Sequence, residues 1–327
     1  MVLRIGSKGQ MVSRLQSFLG IPPDGVFGKT TEFAVKRFQQ NNGLTVDGIV
    51  GRKTFEALGI LTTNVHPSIR NEAPISSATK PKSELDENGI EQYFLPANEY
   101  FSNSPKQWCF LHYTASGSNP YKVIDDWGRD SRGRIGTEFV VGGQSIKGDK
   151  EHDGKILQAF PSEGYAWHLG IGNNKLHRNS IGIEICSMGF LYKGGFFQSS
   201  KTEGGNTIRK WVERNKNAYY TYVGNEVEDS QVQILANPHF QFKAWHKISI
   251  AQVEATYKIL KLVETRNAIP VKNGLPLLLH KNGVSAFEKR MLSEVNNTKG
   301  TWSHSNVSSQ KVDIFPQPEL VEMLLSL

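Results

Sequence analysis

The chain has 327 residues, 21% of them charged, with a formal net charge of +7. That length suits two domains, and no run approaches the roughly 20 apolar residues a membrane span needs. The positive balance calls for an anionic partner, either nucleic acid or an anionic cell envelope. Basic residues are spread along the chain instead of clustered, which argues against direct nucleic-acid binding.

The start, MVLRIGSKGQMVSRLQ, has no apolar core of the kind a standard signal peptide carries. Any work outside the cell would therefore need release or export by another machine. MVSRLQSFLG places Val12, Leu15 and Phe18 at helical spacing and stops at Gly20. An internal repeat follows: DGVFGKTTEFAV at 24–35 aligns with DGIVGRKTFEAL at 47–58, an offset of 47 − 24 = 23 residues. Each copy reads as an Asp-Gly turn with a positive-φ glycine, a second glycine (Gly28, Gly51), and a helix opened by Lys and Thr. TTEFAVKRFQQNNG between the turns makes the middle helix. Residues 1–61 are thus expected to form a small three-helix all-α domain.

Residues 62–92 are rich in Ser, Thr, Pro, Asn and charge, with little periodic hydrophobicity, and read as a flexible linker. His66 within it is expected to be solvated.

From 93 to 327 the pattern changes to strands interleaved with helices, an α/β arrangement with a central mixed sheet flanked by helices. WCFLHYTAS (108–116) is a strand on which Trp108, Phe110 and His112 share a face. KVIDDWGRD reads as a short helix, and TEFVVGG and KILQAF as strands. NSIGIEICSMG alternates cleanly, with Ile181, Ile183 and Ile185 on one face and Gly182, Glu184 and Cys186 on the other. A carboxylate in so apolar a strand needs a partner or a task. Cys109 and Cys186 form no framework of disulfides or CxxC metal motif and read as buried small hydrophobes. SIAQVEATYKILKLVETRN opens with a Ser249–Gln252 capping box, with Ile250, Val253, Tyr257 and Leu260 expected along its core face. SHSNVSSQKVDIFPQPE (303–319) has neither helical nor strand periodicity, yet holds His304, Lys311 and Asp313.

Two resemblances organise these features. GSKGQMVSRLQ, DGVFGKTTEFAVKRFQ and DGIVGRKTFEAL together resemble the small peptidoglycan-binding module of bacterial and phage wall hydrolases. A helical spacer without a ligand is the plainer alternative, and similar modules also stand beside metalloproteases. Further on come, in order, His112 in FLHYTAS, Trp167-His168 in YAWHLG, Glu184 in SIGIEIC, and the His304–Lys311–Asp313 segment. This set resembles the zinc-dependent N-acetylmuramoyl-L-alanine amidases of the amidase-2 family, whose fold peptidoglycan recognition proteins share.

The resemblance implies zinc held by His112, His304 and Asp313, two imidazoles and a carboxylate that leave one position for water. It implies Glu184 as the proton-transferring carboxylate and Lys311 as the cation on the oxyanion. The reaction implied is hydrolysis of the amide joining muramic acid to L-alanine in bacterial peptidoglycan. Trp167, His168, Thr137 and Glu138 are expected near the substrate. Thr137 and Glu138 stand where several relatives carry a histidine or tyrosine. His280 in LPLLLHKNG is the rival second ligand, but no Lys-x-Asp follows it.

The segment 190–245 exceeds the family's usual connection, and its YYTYVGNEVEDS run reads as a hairpin. The segment between the long helix and His304 is extended too. A monomer acting in the wall or periplasm, made in the cytoplasm and released by a holin or an export or injection machine, fits these readings. A non-catalytic peptidoglycan receptor on the same fold and a zinc peptidase cutting another wall amide are the alternatives.

Overall fold

Each Asp-Gly turn of the repeat is organised by a glutamine that the repeat's alignment did not single out. The computed structural model describes residues 2–19, 21, 23–42, 44–58, 86, 88–131, 133–201, 207–308 and 311–327. The chain divides into two units, Met1–Pro81 and Lys82–Leu327. In the first, α1 (Gln10–Phe18), α2 (Lys29–Asn41) and α3 (Arg52–Ala57) enclose Val12, Leu15, Phe27, Val35, Val50, Phe55 and Leu58.

Gln16 is buried and its amide nitrogen donates to Asp24 Oδ1 (2.6 Å), Val26 O (3.0 Å) and Thr31 Oγ1 (2.9 Å). Its oxygen accepts from the Gly25 N–H (2.8 Å). Twenty-three residues on, Gln39 repeats every bond, to Asp47 (2.8 Å), Ile49 O (2.9 Å), Thr54 (3.2 Å) and the Gly48 N–H (2.9 Å). Gly25 and Gly48 hold φ of 74° and 75°, a conformation that costs glycine nothing. The repeat is therefore a repeat of one buried polar network and not only of a turn.

The linker expected at 62–92, with His66, falls mostly outside the described residues. Its last part does not: Asp86 caps a turn with Ile90, and Glu91 and Gln92 already belong to the second unit's sheet. That unit runs β1 (Glu91–Gln92), β2 (Trp108–Tyr113), α4 (Pro120–Gly128), β3 (Phe139–Val141), β4 (Ile156–Gln158), α5 (Asn174–Arg178) and β5 (Ser180–Ile185). The long segment then supplies β6 (Phe190–Lys193), β7 (Gly195–Lys201), β8 (Thr207–Glu213), β9 (Tyr219–Tyr220), β10 (Glu226–Val227), β11 (Val232–His239) and β12 (Phe242–His246). α6 (Ile250–Asn267), α7 (Leu275–Asn282), α8 (Leu292–Asn297), β13 (Gly300–Ser303) and α9 (Pro318–Leu325) complete it.

The central sheet is mixed, in the order β1-β4-β3-β5-β2-β13, with only the β3–β4 pair antiparallel. Alternation sorts its faces. Cys109, Leu111, Ile181, Ile183 and Ile185 pack on one side with Val253, Ile259, Leu260 and Val263 of α6. Full burial of each such aliphatic chain contributes about 1.5–3 kcal/mol. Trp108 and Phe110 pack on the other side with Leu169, Leu176 and Trp302. Both cysteines are free and buried.

The α6 capping box forms as expected, but its core stripe is rotated from the expected one. Ile250 and Tyr257 are exposed, while Gln252 and Thr256 are buried with Val253, Ile259, Leu260 and Val263. Polar residues tolerate that face because each is satisfied: Gln252 Nε2 donates to Cys186 O (2.9 Å) and Thr256 to Gln252 O (2.8 Å).

The long segment folds into an antiparallel sheet, β10-β9-β6-β12-β11, and a separate ribbon, β7–β8. YYTYVGNEVEDS forms the expected hairpin, β9 on β10, turning at Gly224 with φ of 89°. No helix among the described residues is long and apolar enough to cross a membrane.

Candidate metal centre

Parallel pairing brings the reactive residues to the same end of the sheet. His112 lies opposite Glu184 across β2 and β5. β13 runs beside β2 with Ser303 opposite Leu111, so the next residue, His304, emerges next to His112 although 192 positions separate them. The chain then turns through Asn306 and returns, pinned by the Ser305 N–H on the Asp313 carbonyl (2.9 Å). Carboxyl ends of parallel strands are the usual seat of sites in open α/β sheets.

The segment 303–306, which reads as a polar loop, is in fact buried. It survives there because its polar groups are matched. Asn306 Nδ2 donates to Ala286 O and Lys289 O (both 2.9 Å), Ser303 bonds to Asn306 Oδ1 (2.9 Å), and Ser305 donates to Phe287 O. Burial without such partners would cost roughly 1–3 kcal/mol per group.

Three ligand atoms converge. His112 Nδ1 lies 2.9 Å from His304 Nδ1 and 3.3 Å from Asp313 Oδ2, and His304 Nδ1 lies 2.9 Å from the same oxygen. The three residues are 2%, 3% and 7% exposed. Ligands about 2.0–2.2 Å from a tetrahedral zinc ion stand roughly 3.3–3.5 Å apart, so a slight spreading of this triangle accommodates the ion.

The outward nitrogens set the tautomers. His304 Nε2–H donates to Leu169 O (2.8 Å), which leaves Nδ1 with its lone pair facing inward. His112 Nε2 faces His168 Nδ1 (3.0 Å), and His168 Nε2 faces Ser180 Oγ (2.8 Å). Behind them His177 Nδ1 accepts the His168 N–H (3.3 Å) while its Nε2–H donates to Ile171 O (2.9 Å). One arrangement satisfies every outward contact and leaves three acceptors facing inward: neutral rings, with His112 donating to His168 and His168 donating to Ser180. A metal-binding histidine characteristically gives its second N–H to such a partner.

Electrostatics agree with neutral donors. Burial lowers His112 to about 4, with His304 adding to the effect and Asp313 opposing it. Burial takes His177 to about 3 and His168 well below its usual range. Burial alone would raise Asp313, but His304 and His112 hold its carboxyl well below the carboxylate range. Glu184 keeps a partly exposed side chain, yet burial and the charge of Asp313 push it up to about 8 against the pull of Lys311. Lys311 is exposed, and its charge reaches both Glu184 and His112.

Residues 10–58 match the family described as "Putative peptidoglycan binding domain". Among solved structures the chain is similar to a Burkholderia AP3 phage endolysin, at 40% identity over 18% of this chain and 24% of that one, with a TM-score of 0.18. It is also similar to PlyL, at 12% identity over 67% and 83% of the two chains, TM-score 0.34. A third is the N-acetylmuramyl-L-alanine amidase AmiD from E. coli, solved with the substrate anhydro-N-acetylmuramic acid-L-Ala-D-gamma-Glu-L-Lys, at 18% identity over 53% and 48%, TM-score 0.26. This chain spans about a quarter of the endolysin's length. The second unit carries a His–His–Asp cluster compatible with a metal-dependent hydrolytic site.

The structure places the remaining expected site residues differently from one another. Trp167 packs edge-on against His177, ring centres 4.9 Å apart. His168 stands behind His112 as its hydrogen-bond partner. Thr137 is buried, its hydroxyl bonded to Phe139 O (2.9 Å). Glu138 is placed on the α6 side of the sheet, away from the histidines: it is 1% exposed and bonds to Arg266 (2.7 Å) and Gln158 (3.1 Å). Arg266 draws its carboxylate to that side, with buried Lys106 adding charge. His280 is exposed on α7 and lies outside the cluster.

Ser180 and His177 were missed by the sequence reading. Ser180 was within reach, because it shares the β5 face of Gly182 and Glu184 by period two. Gly182 has its own reason: a Cβ there would sit 2.5 Å from the Thr137 methyl and 3.0 Å from His168 Nδ1.

Proposed function

We propose that the second unit is a zinc-dependent N-acetylmuramoyl-L-alanine amidase and that the first unit holds it on peptidoglycan. The observation that carries this reading is the convergence of two imidazole nitrogens and one carboxylate oxygen beside Glu184. The family match of residues 10–58 supports the wall as the target. The ordered His112, Trp167-His168, Glu184 and His304–Lys311–Asp313 set supports this particular amide.

His112, His304 and Asp313 would hold the ion, which when bound polarises a carbonyl and makes water nucleophilic at neutral pH. Glu184 takes the proton of the attacking water and delivers it to the departing alanine amine. Burial and the neighbouring Asp313 charge raise this carboxyl, which favours holding the transferred proton until the amine departs. Lys311, exposed and within electrostatic reach, stabilises the negative charge that develops on the attacked carbonyl oxygen. His168 and Leu169 O hold the two imidazoles in the ligating tautomer. The site of action would be the wall or periplasm, reached from the cytoplasm through a holin or an export or injection machine.

Digestion of purified sacculi tests the reading. Mass spectrometry should find free lactyl groups and new L-alanine amino ends, absent with chelator and with Glu184→Ala. Release of reducing sugar, or of peptide-internal amines with the lactyl–alanine link intact, would overturn it. Binding to sacculi by a zinc-free protein without any cleavage would show a receptor instead.

A further inference from the structure

The long segment between β5 and α6 encloses a groove of about 800 Å³ that the hydrolytic centre does not use. That is the size of a site for a ligand of several rings. One wall is the β7–β8 ribbon, where Phe197 pairs with Trp211 and Ser199 with Arg209. Residues two apart share a face, so Phe197, Trp211 and Arg209 line the groove together. Tyr192 and Phe242 continue the aromatic lining, Tyr192 lying 5.5 Å from Phe197 and 6.0 Å from both Trp211 and Phe242, all edge-on.

Phe197 and Trp211 remain 39% and 41% exposed, on a ribbon whose second strand is nearly all exposed. Rings in so open a ribbon are not there to build a core. The charges lining the groove are of one sign: Lys193, Arg209 and Lys243, with no carboxylate among the lining residues. None of the three pairs with an acid among the described residues.

Flat apolar rings beside cations that no described carboxylate neutralises suit a ligand with C–H faces and carboxylates. A wholly apolar partner would desolvate three cations without a counter-charge. Position narrows the choice further. Tyr222 OH donates to Ala115 O (2.8 Å), just past β2 and His112, and His239 Nε2–H donates to Val312 O (3.3 Å), next to Asp313. The sheet that carries the groove is thus fastened to both loops of the hydrolytic centre.

We propose that this groove is a second saccharide site, which takes a carboxylate-bearing glycan strand and holds it beside the hydrolytic centre. The identity of the strand as peptidoglycan rests on the proposed function. Two linked sites on one strand raise the effective concentration at the second, so the groove should favour polymers over single muramyl peptides.

The test uses the full zinc-loaded chain carrying Glu184→Gln, so that strands persist, and soluble peptidoglycan strands with their stem peptides as probe. Affinity is measured for this parent and for parents that also carry Trp211→Ala or Arg209→Glu. The N-terminal module is common to all three and cancels. Each groove change should weaken strand binding at least fivefold. Amidating the strand carboxyls should weaken the parent similarly and the Arg209→Glu chain little. Arg209 is a surface residue, so that variant reports even if Trp211→Ala folds poorly.

Strand affinity equal to the parent's in Arg209→Glu, with unchanged melting, overturns the proposal. So does tighter binding of an oligonucleotide of matched charge, competed by no strand. The two readings separate. Expected sacculus products with unaffected groove variants would sink the groove alone. Weakened variants with no lactyl ends released would sink the amidase reading and leave the groove standing.

Discussion

The two units each contain a buried polar network, and the networks are built on opposite principles. In the first unit, Gln16 and Gln39 spend donors and acceptor locally, each closing its own Asp-Gly turn. In the second, His112, His304 and Asp313 direct three acceptor atoms at one another, while both outward ring nitrogens are committed to Leu169 O and His168. A closed network fixes a fold. Acceptors aimed at one point, with their tautomers enforced from outside, are an arrangement that a cation completes.

The sharpest way to break the comparison is to remove an acceptor. Asp313→Ala should lose zinc, measured by metal analysis, and with it at least about 10³-fold in turnover. Lys311→Ala should keep zinc and lose about 10²–10³-fold in kcat, the usual scale for an oxyanion donor. If both behave like wild type, the loop after His304 has no part in the reaction.

Removing a closed network should act on stability instead. Gln39→Ala leaves the Gly48 N–H, Thr54 and Asp47 without their amide and should destabilise the first unit by about 2–4 kcal/mol. Wall binding should fall at temperatures where hydrolysis of a soluble muramyl peptide persists. Parallel loss of zinc would show that the networks are not independent.

Acid should separate the units next. Burial holds His246 near 4 and His177 near 3, whereas an unfolded histidine titrates near 6.5. Between those values the unfolded chain binds protons that the folded chain refuses, so stability of the second unit falls as pH drops from 6.5 towards 4. His246 accounts for at most about 3 kcal/mol of that fall, and His246→Asn should remove that part while the part due to His177 persists. Asp47 of the first unit is shifted the opposite way, held below its usual range by the Ile49 N–H and Gln39. Melting followed separately in each unit checks the contrast.

The smallest expected effect concerns the support behind the ligands. His168→Ala should weaken zinc affinity about 10–100-fold, and His168→Asn, whose Oδ1 can accept from His112 Nε2–H, should recover much of it. Gly182→Ala should mimic the loss by crowding His168 Nδ1. A competition titration with a chromophoric chelator reads the affinity directly, and no change in either variant would remove His168 from the site.

Local chemistry was legible in the sequence wherever neighbours in the chain decide the outcome. The 23-residue repeat announced both Asp-Gly turns, and alternation in SIGIEIC set Glu184 against the isoleucines. The Ser249–Gln252 capping box formed where it was read. The convergence of His112, His304 and Asp313 was readable only through resemblance, since nothing local links a strand end to a loop 192 residues away. Glu138 shows the limit of reading by proximity. It sits one residue before β3, yet Arg266 of α6 decides which side of the sheet its carboxylate joins.

Sequence by itself determined the period of each strand and helix, the turns, and the residue types that would serve a zinc ion. Tertiary structure alone decided that SHSN is buried, because carbonyls at Ala286, Phe287 and Lys289 were needed to satisfy it. It alone set which histidine nitrogens face inward, and gathered Phe197, Trp211 and Arg209 into one groove. The physical reason is common to all three. A polar or aromatic side chain takes its role from the partners around it, and those partners come from distant parts of the chain.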